Sequence, residues 1–565
     1  MGYFHHIGLE NFRLFSKRTT FSLAPITLIT GINNSGKSSL IKSFQLFNSS
    51  SQETSGVNVL SFANGKHNLG HFGKAINKKS ETKQMTFEFD FELPLIDENG
   101  CLSLTYEPPF EDSENAILVA YRIFLASGET ILQGKFKEFD EDRNNHYFNF
   151  EKLFKLFSEK FDKPFIDNTL ELLEELKDWN SDLSLVHSQG WANININNAE
   201  IFKLFKNKYI RNYILEDHPL FFDPTLYDGE PFFVKDFDLV DWESKKQIED
   251  SISELFKNGI SAVFTQGESK SLFSTAVWAK FYWTVTIENK FPIIKEKGWS
   301  AVADYVLNNY IPYLHESLAS FHGRFDSIQS LSSLRANTSR LYANTSDIVD
   351  INTLIFELSQ MNLSEDDKII SFIKKQLLFF DLGEEIEIIR HQGVASEINI
   401  VKKGERTNLA DLGYGYSQFL PLIIKVALIA YNKRYFFNGA KDTFNYPPSI
   451  LLLEEPESNL HPSYQSKLAD FIVAAATEFN IQFLVESHSE YMIRKFQFLI
   501  ATKKLMTEDV NIYYFHQPNS PEFDQAPYRK IEILSDGRLS KEFGNGFFDE
   551  TPRLLSDLFN SNFNS

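Results

Sequence analysis

A glycine-rich loop near the amino terminus constrains the fold of this chain more than any other feature. Residues 31–38, GINNSGKS, match G-x-x-x-x-G-K-[ST], the pattern of a phosphate-binding P-loop. A short apolar run at residues 25–30 precedes the loop and is typical of a buried strand. Leu40, Phe44 and Phe47 follow it at helical spacing. The order strand, glycine loop, helix is the context that this motif requires, so we predict an α/β fold around it.

The residue types in this loop suit a phosphorylated ligand. Gly31 and Gly36 have no Cβ, so the backbone can curl and present its N–H groups to phosphate oxygens. Lys37 would reach the β- and γ-phosphates of a nucleotide, and the Ser38 hydroxyl would ligate Mg²⁺. We therefore predict that the loop binds ATP and Mg²⁺. The candidate nucleotide-binding residues here are Gly31, Asn33, Asn34, Ser35, Gly36, Lys37, Ser38 and Ser39.

Length, charge and cysteine content set further bounds. A chain of 565 residues exceeds one ordinary core, so we expect two or more lobes. The net charge of −20 argues against indiscriminate binding of nucleic acid by the whole surface. The single cysteine, Cys101, excludes an internal disulfide and fits a reducing cytoplasm. We see no signal peptide, and the longest apolar run, residues 419–431, is too short to cross a membrane, so we expect a cytoplasmic protein.

The periodicity of the chain predicts four regions. Residues 1–105 alternate apolar and polar around the P-loop and form an amino-terminal lobe. Residues 106–322 contain several segments with helical periodicity, which predicts a large, mostly helical insertion. The α/β pattern then returns in a carboxy-terminal lobe at 323–550, and residues 551–565 form a tail.

Two adjacent carboxylates end an apolar run in the carboxy-terminal lobe. Residues 449–456, SILLLEEP, are typical of a buried strand that ends in Glu454 and Glu455. In P-loop enzymes the first such acid binds Mg²⁺, and a second acid beside it can polarise the attacking water. We predict that Glu454 and Ser38 bind the metal and that Glu455 is the general base.

A histidine follows the next apolar run, residues 481–486. Polar residues, among them His488, follow this second predicted strand. This is the edge where doubly wound sheets place groups that contact ligands. A lone histidine is more often structural. Its position, one strand and one helix after the two acids, favours contact with the γ-phosphate or with the attacking water.

A second candidate anion site lies upstream, at residues 409–418. Gly413, Gly415, Ser417 and Gln418 precede an apolar helix, whose amino terminus would attract an anion. A single chain needs only one phosphate cradle. We therefore expect the nucleotide to lie between two copies of the chain.

These ordered motifs resemble those of ABC-type ATPases, in particular the branch of RecF, SMC and OLD proteins. The resemblance covers about residues 1–105 and 325–550. It implies an ABC-ATPase head, with a mixed β-sheet flanked by helices and interrupted by the insertion, that hydrolyses ATP. It also implies that the sites of two subunits face each other. The residues that carry this arrangement are Lys37, Ser38, Glu454, Glu455 and His488 of one subunit and Gly415 and Ser417 of the other.

Some positions depart from the pattern of that family. The signature is not L-S-G-G-Q, and Glu454 stands where the family usually has aspartate. Gln45 lies inside the first predicted helix, so no Q-loop is placed. Arg13, in an opening segment similar to that of the branch, is a candidate nucleotide contact; an exposed arginine with no role is the alternative.

The resemblance favours an ATP-driven dimer that controls a separate effector, such as a nuclease or a toxin, in anti-phage defence. A RecF-like ATPase that itself clamps DNA is one alternative, and a scaffold that binds ATP with little hydrolysis is another. A nuclease within the insertion would need residues such as Asp241, Glu243 and Lys245, which are better explained as a capped helix start. Basic and aromatic residues at 203–211 fit a solvated helix face better than a nucleic-acid site.

Overall fold

The structure is a computed structural model of the chain. It describes residues 3–54, 57–65, 67–92, 99–135, 143–148, 260–265, 282–285, 321, 323–331, 342–343, 351–361, 363–364, 367–391, 395–412, 414–436, 449–518, 520–544 and 547–563. The chain divides into two compact units. The first comprises Met1–Ser49, Ser61–Thr82 and Arg324–Ser565, and the second comprises Ser50–Leu60 and Lys83–Gly323.

The described residues contain both strands and helices. The strands, in chain order, are β1 (His6–Glu10), β2 (Thr19–Ser22), β3 (Ile26–Gly31), β4 (Val59–Ser61), β5 (Met85–Glu92), β6 (Asn99–Glu107), β7 (Asn115–Leu125), β8 (Thr130–Lys135), β9 (Arg143–Phe148), β10 (Ile260–Thr265), β11 (Tyr282–Val285), β12 (Ile328–Leu331), β13 (Tyr342–Ala343), β14 (Glu385–His391), β15 (Ala395–Lys402), β16 (Glu405–Asn408), β17 (Ser449–Glu454), β18 (Ile481–Glu486), β19 (Val510–Phe515) and β20 (Tyr528–Ile531). The helices are α1 (Lys37–Thr54), α2 (Phe72–Ala75), α3 (Ile351–Gln360), α4 (Lys368–Phe379), α5 (Tyr414–Phe436), α6 (Pro462–Phe479), α7 (Glu490–Ala501), α8 (Pro521–Gln525) and α9 (Glu550–Phe563).

A six-stranded sheet forms the centre of the first unit. Its order is β12-β17-β18-β3-β19-β20; the first five strands are parallel, and β20 is antiparallel to β19. All residues of β3 and β18 are buried, as expected for parallel strands that are covered on both faces. The carboxyl ends of β17, β18 and β3 therefore meet at one edge, which is where the P-loop begins.

Helices cover this sheet and bury their apolar faces in one continuous core. Residues from α3 to α7 join the sheet in this core, among them Leu354, Phe372, Ile423, Phe471 and Phe496. Side chains cap three of these helices: the Asp367 carboxylate accepts from the backbone of α4, the His461 Nδ1 from that of α6, and the Ser489 hydroxyl from that of α7. The parallel sheet with helices packed against it confirms the predicted α/β class.

Two smaller antiparallel groups complete the first unit. β1 pairs with β2, and β15 lies between β13 and β14, with β16 also pairing with β15. The tail that we predicted after residue 550 begins with α9, which runs to Phe563. Among the described residues, no helix has the length and apolar character needed to span a membrane.

The second unit contains antiparallel strands. Strands β5 to β11 pair in chain order, and β4 pairs with β7. The described part of the predicted helical insertion therefore consists mainly of strands. In β7, Ala116, Leu118, Tyr121 and Ile123 are buried between more exposed residues, an alternation typical of a sheet. The segments with helical periodicity at 151–161, 167–179 and 246–257 lie outside the described residues.

Candidate active site

Glycine determines the shape of the P-loop at both ends. Gly31 has a φ of +134°, and a Cβ at this position would lie 2.4 Å from the carbonyl oxygen of Phe515 on β19. Gly36 has a φ of +100°, where a Cβ would lie 3.2 Å from Cδ1 of Leu14. Side chains rarely adopt these φ values. The loop can therefore keep this conformation only with glycine at both positions.

Lys37 begins α1 and points back into the loop. Its Nζ donates to the carbonyl oxygens of Gly31 at 3.1 Å and Ile32 at 2.8 Å. Burial lowers the pKa of Lys37, and the nearby carboxylates of Glu486 and Glu455 oppose this shift. The lysine is thus held at the loop, where it can bind phosphate oxygens once it releases the two carbonyls.

The other predicted residues of the loop differ in exposure. Asn33 and Asn34 are exposed, and Asn34 has a φ of +62°. Ser39 is buried, and its N–H donates to the Gly36 carbonyl oxygen at 2.9 Å. Ser35 is fully buried, and its Oγ has no hydrogen-bond partner among the described residues. An unpaired hydroxyl in a phosphate-binding loop is available to a ligand.

Three carboxylates meet at the carboxyl edge of the sheet. Glu454 and Glu486 end β17 and β18 and are opposite each other in the register of these strands. Glu455 follows directly with a φ of +43°, and its N–H donates to the Glu486 carbonyl oxygen at 2.8 Å. The Glu455 carboxylate accepts from the Ser458 hydroxyl at 2.9 Å. The predicted pair of acids thus lies at the edge where the P-loop begins.

The hydroxyl of Ser38 contacts Glu486. Its Oγ lies 3.0 Å from Oε2 and 3.3 Å from Oε1 of that residue, whereas Glu454 accepts from Gln45 Nε2 at 3.2 Å. Burial raises the pKa of Glu486, and the Ser38 hydrogen bond and Lys37 oppose this shift. Sequence reasoning paired Ser38 with Glu454, and the structure adds Glu486 between them.

His488 is fixed through its backbone. Its N–H donates to the Glu457 carboxylate at 2.5 Å, and Glu457 is only 7% exposed. Burial, assisted by the charge of Lys37, lowers the pKa of His488, while Glu455 opposes the shift. His488 is therefore neutral near pH 7. In that form it can either donate or accept a hydrogen bond.

The signature segment lies at the start of α5. Residues Leu409–Asp411 form a 3₁₀ turn, and α5 begins at Tyr414, which places Gly415 and Ser417 in its first turn. The side chains of these two residues lie outside the described set. Gln418 is 1% exposed, and neither polar atom of its side chain has a partner among the described residues.

Arg13 is half-buried rather than exposed. Its N–H donates to the Ala75 carbonyl oxygen, and its own carbonyl oxygen accepts from Asn77 Nδ2. Burial lowers the pKa of Arg13. Its charge acts on Lys42 of α1, which also interacts with the carboxylates of Glu454 and Glu486. Arg13 therefore belongs to the charged surroundings of the P-loop.

A family of known proteins matches most of the chain. Residues 3–220 and 291–493 match a family described as an AAA ATPase domain. The chain belongs to the AAA ATPase domain family. Residues 505–558 match a second family, described as a protein of unknown function (DUF3696). A search of curated proteins found no match.

Solved structures of SMC head domains are also similar to this chain. The head domain from Pyrococcus furiosus, with an extended coiled coil and bound to the C-terminal domain of ScpA, is 11% identical, with 98% of this chain and 99% of that chain covered and a TM-score of 0.31. The head domain from Pyrococcus yayanosii, with a coiled coil and joint, is 13% identical, with 95% and 98% covered and a TM-score of 0.34. The head domain from Thermotoga maritima is 11% identical, with 94% and 99% covered and a TM-score of 0.32.

The donor set at this edge of the sheet fits a phosphate with Mg²⁺. The hydroxyl of Ser38 and the carboxylates of Glu454 and Glu486 are the hard oxygen ligands that Mg²⁺ prefers. Among the described residues, no group of three or more histidine, cysteine or acidic side chains could hold a metal by itself.

Sequence reasoning gave no role to Glu486 and Glu457, and it set Gln45 aside as a residue inside the first helix. Glu486 had a usable signal, because it ends a buried apolar run directly before Ser487 and His488, as Glu454 ends another. Glu457 and Gln45 gave no such signal. Their roles depend on which loops and helices lie side by side.

A buried histidine beside the site predicts a loss of stability in acid. His67 is fully buried, and Lys42 Nζ donates to its carbonyl oxygen at 2.9 Å. Burial, with the charge of Lys42, lowers the pKa of His67 to about 4. Since the unfolded chain takes up this proton near pH 6.5, the free energy of unfolding should fall between pH 6.5 and 4, by about 2 kcal/mol at pH 5.

Urea unfolding at pH 7 and pH 5 measures this effect. His67→Asn keeps an acceptor for the N–H of Leu69, which lies 3.3 Å from Nδ1 of His67, and removes the titrating group. The variant should therefore lose less stability on acidification than the wild type. An equal loss in both proteins would contradict the prediction.

Proposed function

We propose that this chain is an ABC-type ATPase that binds ATP with Mg²⁺ and hydrolyses it. One arrangement carries the proposal: Lys37 lies in a glycine-shaped P-loop, and the strands that adjoin the loop end in the carboxylates of Glu454 and Glu486, with Glu455 directly after Glu454. A phosphate-binding loop alone explains binding. The carboxylates beside it supply the general base and the metal ligand that hydrolysis needs in addition.

The proposal gives the side chains around the P-loop distinct roles in binding nucleotide and metal. Lys37 binds the β- and γ-phosphates, and Arg13, Ser35 and the loop backbone contribute further donors. Ser38 and Glu454 hold Mg²⁺, which neutralises charge on the phosphates when it is bound.

Hydrolysis would proceed by attack of water on the γ-phosphorus. Glu455 accepts a proton from this water as the new O–P bond forms, and the bond from the γ-phosphorus to the bridging oxygen breaks to release ADP. His488, neutral near pH 7, holds the attacking water or a γ-phosphate oxygen.

The binding step is tested by Lys37→Ala. Loss of charge-assisted hydrogen bonds to phosphate should lower the affinity for ATP by about 10- to 100-fold, as measured by isothermal titration calorimetry. Lys541→Ala removes the same side chain at an exposed position and should bind ATP like the wild type. Equal affinity of the two variants would contradict the proposed role of the loop.

We further propose that two copies of the chain enclose the nucleotide. Gly415 and Ser417 lie in the first turn of α5, where helix N–H groups attract anions, and Gln418 follows directly. In the dimer these residues would face the γ-phosphate bound to the P-loop of the other copy.

The resemblance to OLD-like proteins supports a further proposal, that the ATP cycle controls a separate nuclease or toxin in anti-phage defence. An adjacent gene for such an effector would support it. The alternative is a RecF-like ATPase that clamps DNA itself. Affinity of the isolated chain for DNA that falls steeply with salt would favour this alternative.

A further inference from the structure

The P-loop serine and Glu486 form a contact that the proposed function does not use. The Ser38 hydroxyl lies 3.0 and 3.3 Å from the two carboxylate oxygens of Glu486. A carboxylate can only accept a hydrogen bond, so the hydroxyl proton points to Glu486. The lone pairs of Ser38 Oγ therefore face away from Glu486. These lone pairs are what a metal ion would need.

The strand order explains why Glu486 makes this contact. β18 is the direct neighbour of β3, and Glu486 is opposite Ile29, two residues before Gly31, where β3 ends. Glu454 ends β17, which lies one strand further away, and it accepts from Gln45 on the side of α1. Adjacent strands are about 4.8 Å apart, so the acid on β18 is nearer to the start of the loop.

The surroundings of Glu486 favour a cation. Glu486 is 7% exposed and interacts with the charges of Glu454 and Glu455. Lys37 and Lys42 are cationic side chains whose charges interact with these carboxylates. Lys37 turns to phosphate when ATP binds, so the carboxylates then need another positive charge close to Ser38.

On this basis we propose that Glu486 is a positioning residue for the divalent cation: it holds the Ser38 hydroxyl proton so that the oxygen of Ser38 faces Mg²⁺. This proposal rests on the proposed binding of Mg²⁺ and ATP. Carboxylates that orient a metal ligand in this way typically change metal affinity by 10- to 100-fold. Glu454 remains the acid that holds the cation itself.

Mn²⁺ is the probe for the test, because electron paramagnetic resonance measures its free concentration directly. The affinity for Mn²⁺ is determined with saturating ATP in the wild type and in Glu486→Ala, and the affinity for ATP alone is determined in EDTA. We expect Glu486→Ala to weaken Mn²⁺ binding by at least about 10-fold and to leave ATP binding in EDTA within about twofold. Glu542→Ala removes an exposed carboxylate and is the matched control.

A double-mutant cycle tests whether Glu486 acts through Ser38. In a Ser38→Ala background, Glu486→Ala should weaken Mn²⁺ binding by less than about twofold, because the oriented oxygen is already gone. Glu486→Asp should recover part of the affinity, since it keeps the charge, and it also serves if Glu486→Ala fails to fold. An unchanged Mn²⁺ affinity in folded Glu486→Ala, or an equal loss in both backgrounds, would overturn the role of Glu486. Failure of the wild type to bind ATP in EDTA or with Mn²⁺ would instead overturn the proposed function.

Discussion

Glu455→Gln is expected to lower the rate of ATP hydrolysis by about 10²- to 10⁴-fold while ATP still binds. Glu455 directly follows the last residue of β17, and its N–H is fixed to the Glu486 carbonyl oxygen. The negative charge of its carboxylate opposes the lowering of the pKa of both Lys37 and His488. Glutamine keeps the size of this side chain but cannot accept a proton from water. Release of phosphate and binding of ATP, measured on the same preparation, separate the two effects.

The same variant tests the dimer, because ATP that is bound but not cleaved should keep two copies together. Analytical ultracentrifugation should therefore show a doubled mass for Glu455→Gln with ATP and Mg²⁺, and a single chain without nucleotide. Glu542→Gln is the control and should hydrolyse ATP like the wild type. Equal turnover in wild type and Glu455→Gln would remove Glu455 from the mechanism. Absence of turnover in both, with and without DNA, would favour the scaffold alternative.

The sequence was sufficient to predict the elements that hold the site. The P-loop lies between a buried strand and a helix as expected, because every residue of β3 is buried and α1 begins at Lys37. Glu454 ends β17 for the same reason, since a continuous apolar run is typical of a parallel strand that is covered on both faces.

The contacts between these elements could not be predicted. The sequence does not contain the order of strands in a sheet, so the position of β18 between β17 and β3 was unknown. That order places Glu486, rather than Glu454, beside Ser38. The contact between Gln45 and Glu454 depends in the same way on how α1 lies against the edge of the sheet. In the second unit, buried and more exposed residues alternate along β7, but its sequence, NAILVAYRIFL, is nearly continuously apolar, and our prediction for this region followed the helical periodicity of later segments.

Of the two Gly→Ala substitutions that we consider, Gly31→Ala should disrupt the P-loop more. At a φ of +134° a side chain is strained, at a cost of about 1–3 kcal/mol. The new Cβ would also lie 2.4 Å from a backbone oxygen and 2.7 Å from the backbone nitrogen of Phe515. This neighbour cannot turn away like a flexible side chain, because Phe515 is paired with Gly31 in the sheet. Either β19 or the loop must move.

We therefore expect Gly31→Ala to lower the free energy of unfolding by about 3 kcal/mol or more and the affinity for ATP by about 100-fold, since a displacement near 1 Å is enough to misplace the phosphate donors. Gly404→Ala is the matched control, because Gly404 also has a positive φ, +79°, but a Cβ there would meet nothing within 4 Å. It measures backbone strain without the clash and should leave ATP binding unchanged. Urea unfolding and calorimetry of both variants separate the two causes. If Gly31→Ala bound ATP as tightly as Gly404→Ala, contact with Phe515 would not determine the shape of the loop.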